Sequence, residues 1–252
     1  LGLENAVTMA YGLGFPEENR RTYAVETPPL FSSDRDDPVV QNEVTETIHD
    51  AVRMTPGNTL AFFPNYGEAS RYAKRLENRS DRPVYLDEPG EAVEDLRQEF
   101  VADDDAVLCT SLWGTLAEGV SFDGDDAHTV LVVGVPYPHL DDRAEAVQEA
   151  YDAAFDGTDT GWRYAVEIPT VRKTRQALGR VIRSPEEVGV RALLDRRYSR
   201  RAKSELGRYS VNGTFPHAER EELIDIEPEK LKFAMRNFYG DHDAYDGEPP
   251  AP

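Results

Sequence analysis

The chain has 252 residues, 48 of them acidic and 28 basic, for a formal net charge of −20. It is long enough to bury a substantial core as one large domain or two small ones, its apolar runs are too short to cross a bilayer, and its opening LGLENAV lacks the basic n-region and long apolar h-region of a signal peptide. The lone cysteine, Cys109 in AVLCT, excludes an internal disulfide and any multi-cysteine metal or iron–sulfur site within this chain, and a cytoplasmic protein is expected.

Short apolar runs bounded by turn residues alternate with longer helical patterns. TYAVE (22–26) is the first predicted strand, followed by a helix over 39–54. TLAFF (59–63) leads into a helix over 67–77, and PVYLD (83–87) into one over 91–101. AVLCT (106–110) and TVLVVGV (129–135) follow, then helices over 141–155 and 170–183, then the strand GVRALLD (189–195). The closing GDHDAYDGEPPAP is acidic and rich in Pro and Gly, and reads as a solvated tail without assigned structure. This alternation predicts an α/β fold with a parallel sheet and crossover helices. Ligands gather at the carboxyl ends of such strands, which selects the loops FPNYGE, TSLWGTLAEG and VPYPHLDD.

Acidity of this degree fits a protein that avoids nucleic acid, or one adapted to molar salt, where repulsion between carboxylates is screened. Only five lysines stand beside 23 arginines, and DRDD, ADDDA and DGDD fall in predicted loops, which favours a halophile's cytoplasm. Residues 161–203 break the pattern: twelve basic and four acidic residues give a local balance of +8, leaving −28 for the remainder. A basic island in so acidic a chain points to an anionic ligand.

Within that island, QALGRVIR places Gln176, Arg180 and Arg183 at i, i+4 and i+7 of the predicted helix, on one face, with Leu178 and Ile182 on another. Gly179 would leave room beside Arg180 for a phosphate or another backbone, at a cost of about 1 kcal/mol in a helix interior. Spacing alone equally describes a solvated helix face with surface salt bridges.

QALGRVIR followed by EEVGVRALLDRRY resembles motif VI of superfamily 2 helicases, in the form found in XPD/DinG-type DNA helicases. AFFPNYGEASRYAKRL resembles their motif IV, and CTSLWGTLAEGVSFDGDDAHTVLVVGVPYP their motif V with its E-G-x-x-F core. GFPEENRR looks like the segment joining two motor domains, and LGL like the end of the first. The ordered matches run from about residue 14 to 198. The resemblance implies the second RecA-like motor domain of an ATP-dependent 5′–3′ DNA helicase, from a haloarchaeon by its composition. Residues 1–20 would be the end of the first motor domain and the connection, 21–206 the RecA-like domain, and 207–252 a C-terminal extension with an acidic tail. The chain would be a piece of a longer protein engaged in DNA repair.

By motif position, Arg183 would be the arginine finger, Arg180 a second γ-phosphate contact, and Gln176 the residue positioning phosphate or water. Guanidinium forks suit phosphoryl oxygens. Gly179, Glu118 and Gly119 would lie at the nucleotide cleft, Thr110 and Ser111 near the DNA backbone. Asn65 and Tyr66 would offer hydrogen bonds and a stacking surface to single-stranded DNA, with Tyr137 and Trp162 as weaker candidates. The family usually has Asp where this chain has Ser121, so that carboxylate's role does not transfer. Without its flanks, Glu118-Gly119 also reads as a helix end and turn.

ATP with Mg2+ would be shared with the first RecA-like domain, because no G-x-x-x-x-G-K-[ST] loop occurs here. Any iron–sulfur cluster would belong to the missing part. Asp87-Glu88 imitates a Walker B box but reads as a turn entry, and DGDD as an acidic loop; no resident metal is expected. The expected partners are single-stranded DNA and the first motor domain, with no membrane, and the protein is expected to be a monomer. The second reading is a non-catalytic nucleic-acid-binding or regulatory module with a helicase-like fold. A small enzyme with its own active site lacks a G-x-S-x-G elbow or metal cluster to support it.

Overall fold

The computed structural model describes residues 16–120, 122, 124–182 and 184–252, with Glu118 described by its main chain. Arg183, Ser121 and the first motor-domain segment at LGL therefore lie outside the described residues, as does the beginning of GFPEENRR.

Seven strands form one sheet: β1 (Arg20–Val25), β2 (Thr59–Phe63), β3 (Val84–Leu86), β4 (Val107–Ser111), β5 (Thr129–Val133), β6 (Gly189–Leu194) and β7 (Leu223–Ile226). The order is β3-β4-β2-β5-β6-β1-β7, and every pairing is parallel. A parallel sheet must be covered on both faces, which explains why β2, β4 and β5 are buried along their whole length. Alternation along the strands divides the core into two layers. Ala61, Phe63, Leu131 and Val133 pack with α1 (Pro38–Met54), α2 (Tyr66–Glu77) and, from the C-terminal region, a helix over Pro228–Asp241. Leu60, Phe62, Val130 and Val132 face α3 (Val93–Ala102), α4 (Thr115–Gly119) and a helix over Ile168–Leu178.

The remaining helices complete the chain order. α5 (Asp142–Ala154) and α6 (Thr160–Trp162) precede a π-helical turn over Arg163–Glu167, which runs into α7 (Ile168–Leu178). After β6 come α8 (Ala202–Leu206), α9 (His217–Glu222), β7 and α10 (Pro228–Asp241). No helix among the described residues is long and apolar enough to cross a membrane.

Local chemistry sets the starts that aim the loops. Asp37 caps α1 by accepting from Val39 N at 2.8 Å, with Pro38 as the first helical residue. Asn65 caps α2 by accepting from Glu68 N at 2.9 Å. The observed strands follow the six predicted runs to within a few residues, and the α/β parallel-sheet expectation holds.

Two expectations change. The helix predicted over 170–183 ends at Leu178, where Gly179 is the cap and Arg180 N donates back to Ala177 O at 2.9 Å. Arg180 is therefore in a turn and does not share a helix face with Gln176. Ile182, predicted as helical, has φ +65, which no helix continues. The closing segment is also not a free tail. Tyr245 Oη donates to Met54 O at 2.7 Å, Arg53 Nη2 to Ala251 O at 2.9 Å, and Arg236 Nε to Pro250 O at 3.0 Å. Its acidic side chains face water while its carbonyls and Tyr245 tie it to α1 and α10.

Candidate functional site

The selected loops meet at the carboxyl edge of the sheet. Pro64 and Asn65 after β2, Ser111 and Trp113 after β4, and Tyr137 to His139 after β5 line one cleft of about 450 Å³, joined by Tyr66. A neighbouring cleft shares Pro64, Asn65 and Tyr137 to His139 and extends past Phe31, Ser32 and Arg35 after β1 to Arg197 and Tyr209. A continuous groove thus crosses the ends of β4, β2, β5, β6 and β1.

Its floor is rigid. Leu112 N donates to Phe63 O at 2.8 Å, Ser111 Oγ accepts from Trp113 N at 3.2 Å, and Gly114 N donates to Ser111 O at 2.9 Å. Tyr66 leans over this turn, and a Cβ on Gly114 would lie 2.5 Å from its hydroxyl oxygen. Burial raises the Tyr66 pKa above the usual phenol value, as does the nearby Asp87 carboxylate, against a hydrogen bond with the Thr115 main chain. Further along, Asp195 and Arg197 form a buried ion pair at 2.6 Å, and the guanidinium stacks over Phe31 at 4.6 Å and Tyr137 at 5.4 Å. Burial pushes the Tyr137 phenol up to about 12, and its hydroxyl donates to Tyr209 O at 2.8 Å.

α4 links this edge to the predicted arginine site. Its first turn adjoins Tyr66, and at its other end the Arg180 guanidinium donates from Nη1 to Val120 O and from Nη2 to Ala117 O. Arg180 thereby binds the carbonyls that a helix C-terminus leaves without intrahelical donors. Beyond it, Ile182 lines a cleft with Ala127, His128 and Val188 at the amino ends of β5 and β6. That placement follows from the crossover, since α7 runs back across the sheet before β6 begins.

The predicted residues therefore fall into two groups. Arg180, Gly119 and the Glu118 main chain come together at the end of α4, with Gln176 and Gly179 exposed at the end of α7. Among the described residues a Cβ at Gly179 would meet only Arg175 O and Gln176 O, at 3.5 and 3.6 Å, and the glycine is the cap that ends α7. Asn65, Tyr66 and Ser111 line the carboxyl-edge cleft. Thr110 does not. It is fully buried, and its hydroxyl donates to Asp87 Oδ2 at 2.6 Å, so it supports the edge from beneath. Asp87 is equally buried, and burial raises its carboxyl pKa, against the Thr110 hydrogen bond. Trp162 is buried, with Nε1 donating to Arg208 O at 3.2 Å.

Sequence reasoning missed Trp113, which is 43 % exposed at the cleft, and Lys173, whose Nζ lies 4.9 Å from its ring centroid. The loop TSLWGTLAEG contained the signal for the first; the second needed the packing of α7 beside β4's loop.

The helicase C-terminal domain family matches residues 48–210. The helicase subunit XPD/RAD3 of general transcription and DNA repair factor IIH from Saccharomyces cerevisiae is 25 % identical over 200 residues, 71 % of this chain and 24 % of that protein. The ATP-dependent DNA helicase XPD of Sulfolobus acidocaldarius is 28 % identical over 144 residues, 56 % of this chain and 25 % of that one. The chain spans about a quarter of the length of these relatives. Among solved structures, an XPD helicase matches with a TM-score of 0.63 at 22 % identity, covering 82 % of this chain and 35 % of that one. The Xpd4 protein of S. tokodaii matches with a TM-score of 0.58 at 17 % identity, covering 90 % and 42 %. These likenesses establish a shared RecA-like fold.

Proposed function

The chain belongs to the helicase C-terminal domain family, and from that premise we propose that it is the second motor domain of an ATP-dependent DNA helicase moving 5′ to 3′ on a single strand. The observation that carries this reading is α4. One five-residue helix is held at its far end by Arg180 of the G-R-x-x-R segment and begins beside Tyr66 at the carboxyl-edge groove. A motor needs such a join, because nucleotide state must be felt where the strand is gripped.

In this reading the first motor domain, elsewhere in the protein, would cradle Mg2+ and ATP, whose γ-phosphoryl group passes to water with ADP as the leaving group. This chain's contribution is electrostatic. Arg183 presents a permanently charged fork to the γ-phosphate, and Gln176, exposed at the end of α7, orients phosphate or water. Arg180 fits the same task at one remove: its two terminal nitrogens hold the carbonyls of Ala117 and Val120, fixing the end of α4 to the turn after α7. Glu118 and Gly119 then sit at the nucleotide face, Asn65, Tyr66 and Ser111 at the DNA face. The protein acts as a monomer in DNA repair, inside a salt-adapted cell.

Arg183→Ala in the complete protein tests this. Arginine fingers contribute roughly 10³ to 10⁵ in rate in GTPases, so ATP hydrolysis is expected to fall by at least about 10³ while single-strand affinity changes by less than about threefold. Hydrolysis that survives the substitution, or affinity that collapses with it, contradicts the assignment.

A further inference from the structure

We infer that Trp113 is a stacking platform for one unpaired base, with the Lys173 ammonium seated on its ring; this rests on the single-strand-gripping reading above. The chain has two tryptophans, and they are treated oppositely. Trp162 is 6 % exposed with its indole N–H bonded, whereas Trp113 is 43 % exposed at the mouth of the cleft. Its exposure is imposed by a fixed turn. The neighbouring Leu112 and Leu116 are buried, and the main chain on both sides is bonded to Phe63 and Ser111. An indole held in water by a rigid loop is preorganised for a flat ligand.

The surroundings select the ligand's chemistry. Tyr66, Tyr137, Pro138 and His139 supply flat or apolar walls at base-stacking scale. None of the described residues lining this cleft is acidic, although the chain has 48 acidic residues. Lys173 Nζ lies 4.9 Å from the indole centroid, and Lys173 belongs to the basic stretch 161–203. A cation on an aromatic face is favourable in itself, and it places positive charge where the phosphate of a stacked nucleotide would lie. Every base has a π face, so the platform accepts any base and discriminates against a sugar without one.

The test is an abasic site walked along an oligo(dT) of fixed length, with equilibrium binding to the complete protein measured by fluorescence anisotropy at constant KCl. Base–aromatic stacking predicts one position at which loss of the base weakens wild-type binding by about 5- to 150-fold. In Trp113→Ala that one penalty disappears while penalties elsewhere and affinity for the fully abasic strand stay the same; Trp113→Phe retains part of it. Trp113→Leu, apolar but without a π face, gives the alanine result where alanine impairs folding. An unchanged penalty profile in the Leu and Ala variants overturns the platform and leaves strand gripping intact. Failure of the wild type to bind any oligonucleotide overturns the strand-gripping reading, and the platform falls with it.

Discussion

Asp195 receives four donors: Leu30 N at 3.1 Å, and Arg197 N, Nε and Nη2 at 2.9, 2.8 and 2.6 Å. It therefore ties the loop after β1 to the turn after β6, and it does so at zero exposure. Arg197 is almost fully buried as well, so the pair is not a surface ornament. Removing one partner of a buried pair strands the other charge, which typically costs about 3–5 kcal/mol. Asp195→Ala is expected to lose that much stability in chemical denaturation; a loss below about 1 kcal/mol would show that water reaches Arg197. At this scale the sequence was legible where a residue's position in a motif also fixed its exposure, as for Asn65 and Tyr66. It was not legible for Thr110, because a residue near a strand's end points either into the core or out of it, and only its partner Asp87, just past the end of the neighbouring β3, decides which.

α4 is the shortest helix that matters to the site, and its geometry depends on a missing side chain. Gly114 lets the Tyr66 hydroxyl approach the first turn, and a Cβ there would stand 2.5 Å from that oxygen. Gly114→Ala must displace Tyr66 and is expected to destabilise by about 1–3 kcal/mol, the usual cost of overpacking. In Tyr66→Ala the same Gly114→Ala change should cost much less. A double-mutant cycle in urea reads the coupling; additive effects would contradict the contact. The strands and most helices were readable because short, near-continuous apolar runs, the mark of parallel strands buried on both faces, are separated by amphipathic segments. The overrun of α7 came from reading Gly179 as interior when it stands where a glycine ends a helix. β7 and α10 were overlooked in an acidic, Pro/Gly-rich context, yet Pro228 followed by Leu231, Met235, Phe238 and Tyr239 carries helical spacing and a first-turn proline.

Across the whole molecule, the all-parallel sheet places a groove over the carboxyl ends of the strands and a second cleft, lined by Ile182, at the amino ends of β5 and β6. The net charge of −20 makes the +8 stretch stand out, and α7, β6 and the following turn bring that stretch under both edges. Fold class was legible from ordered motifs, since each motif ends a strand or helix, and so was the separation in the fold of Asn65 and Tyr66 from Arg180. The join between them was not, because it is made by one side chain meeting two carbonyl oxygens 60 and 63 residues away in the sequence. The most direct measurement of the central claim is ATP hydrolysis by the complete protein with and without single-stranded DNA, at salt concentrations that keep it folded. The account predicts hydrolysis that rises severalfold or more with the strand present. A protein that binds the strand yet hydrolyses no ATP under any of these conditions would contradict it, and would make the groove and its arginines parts of a binding module.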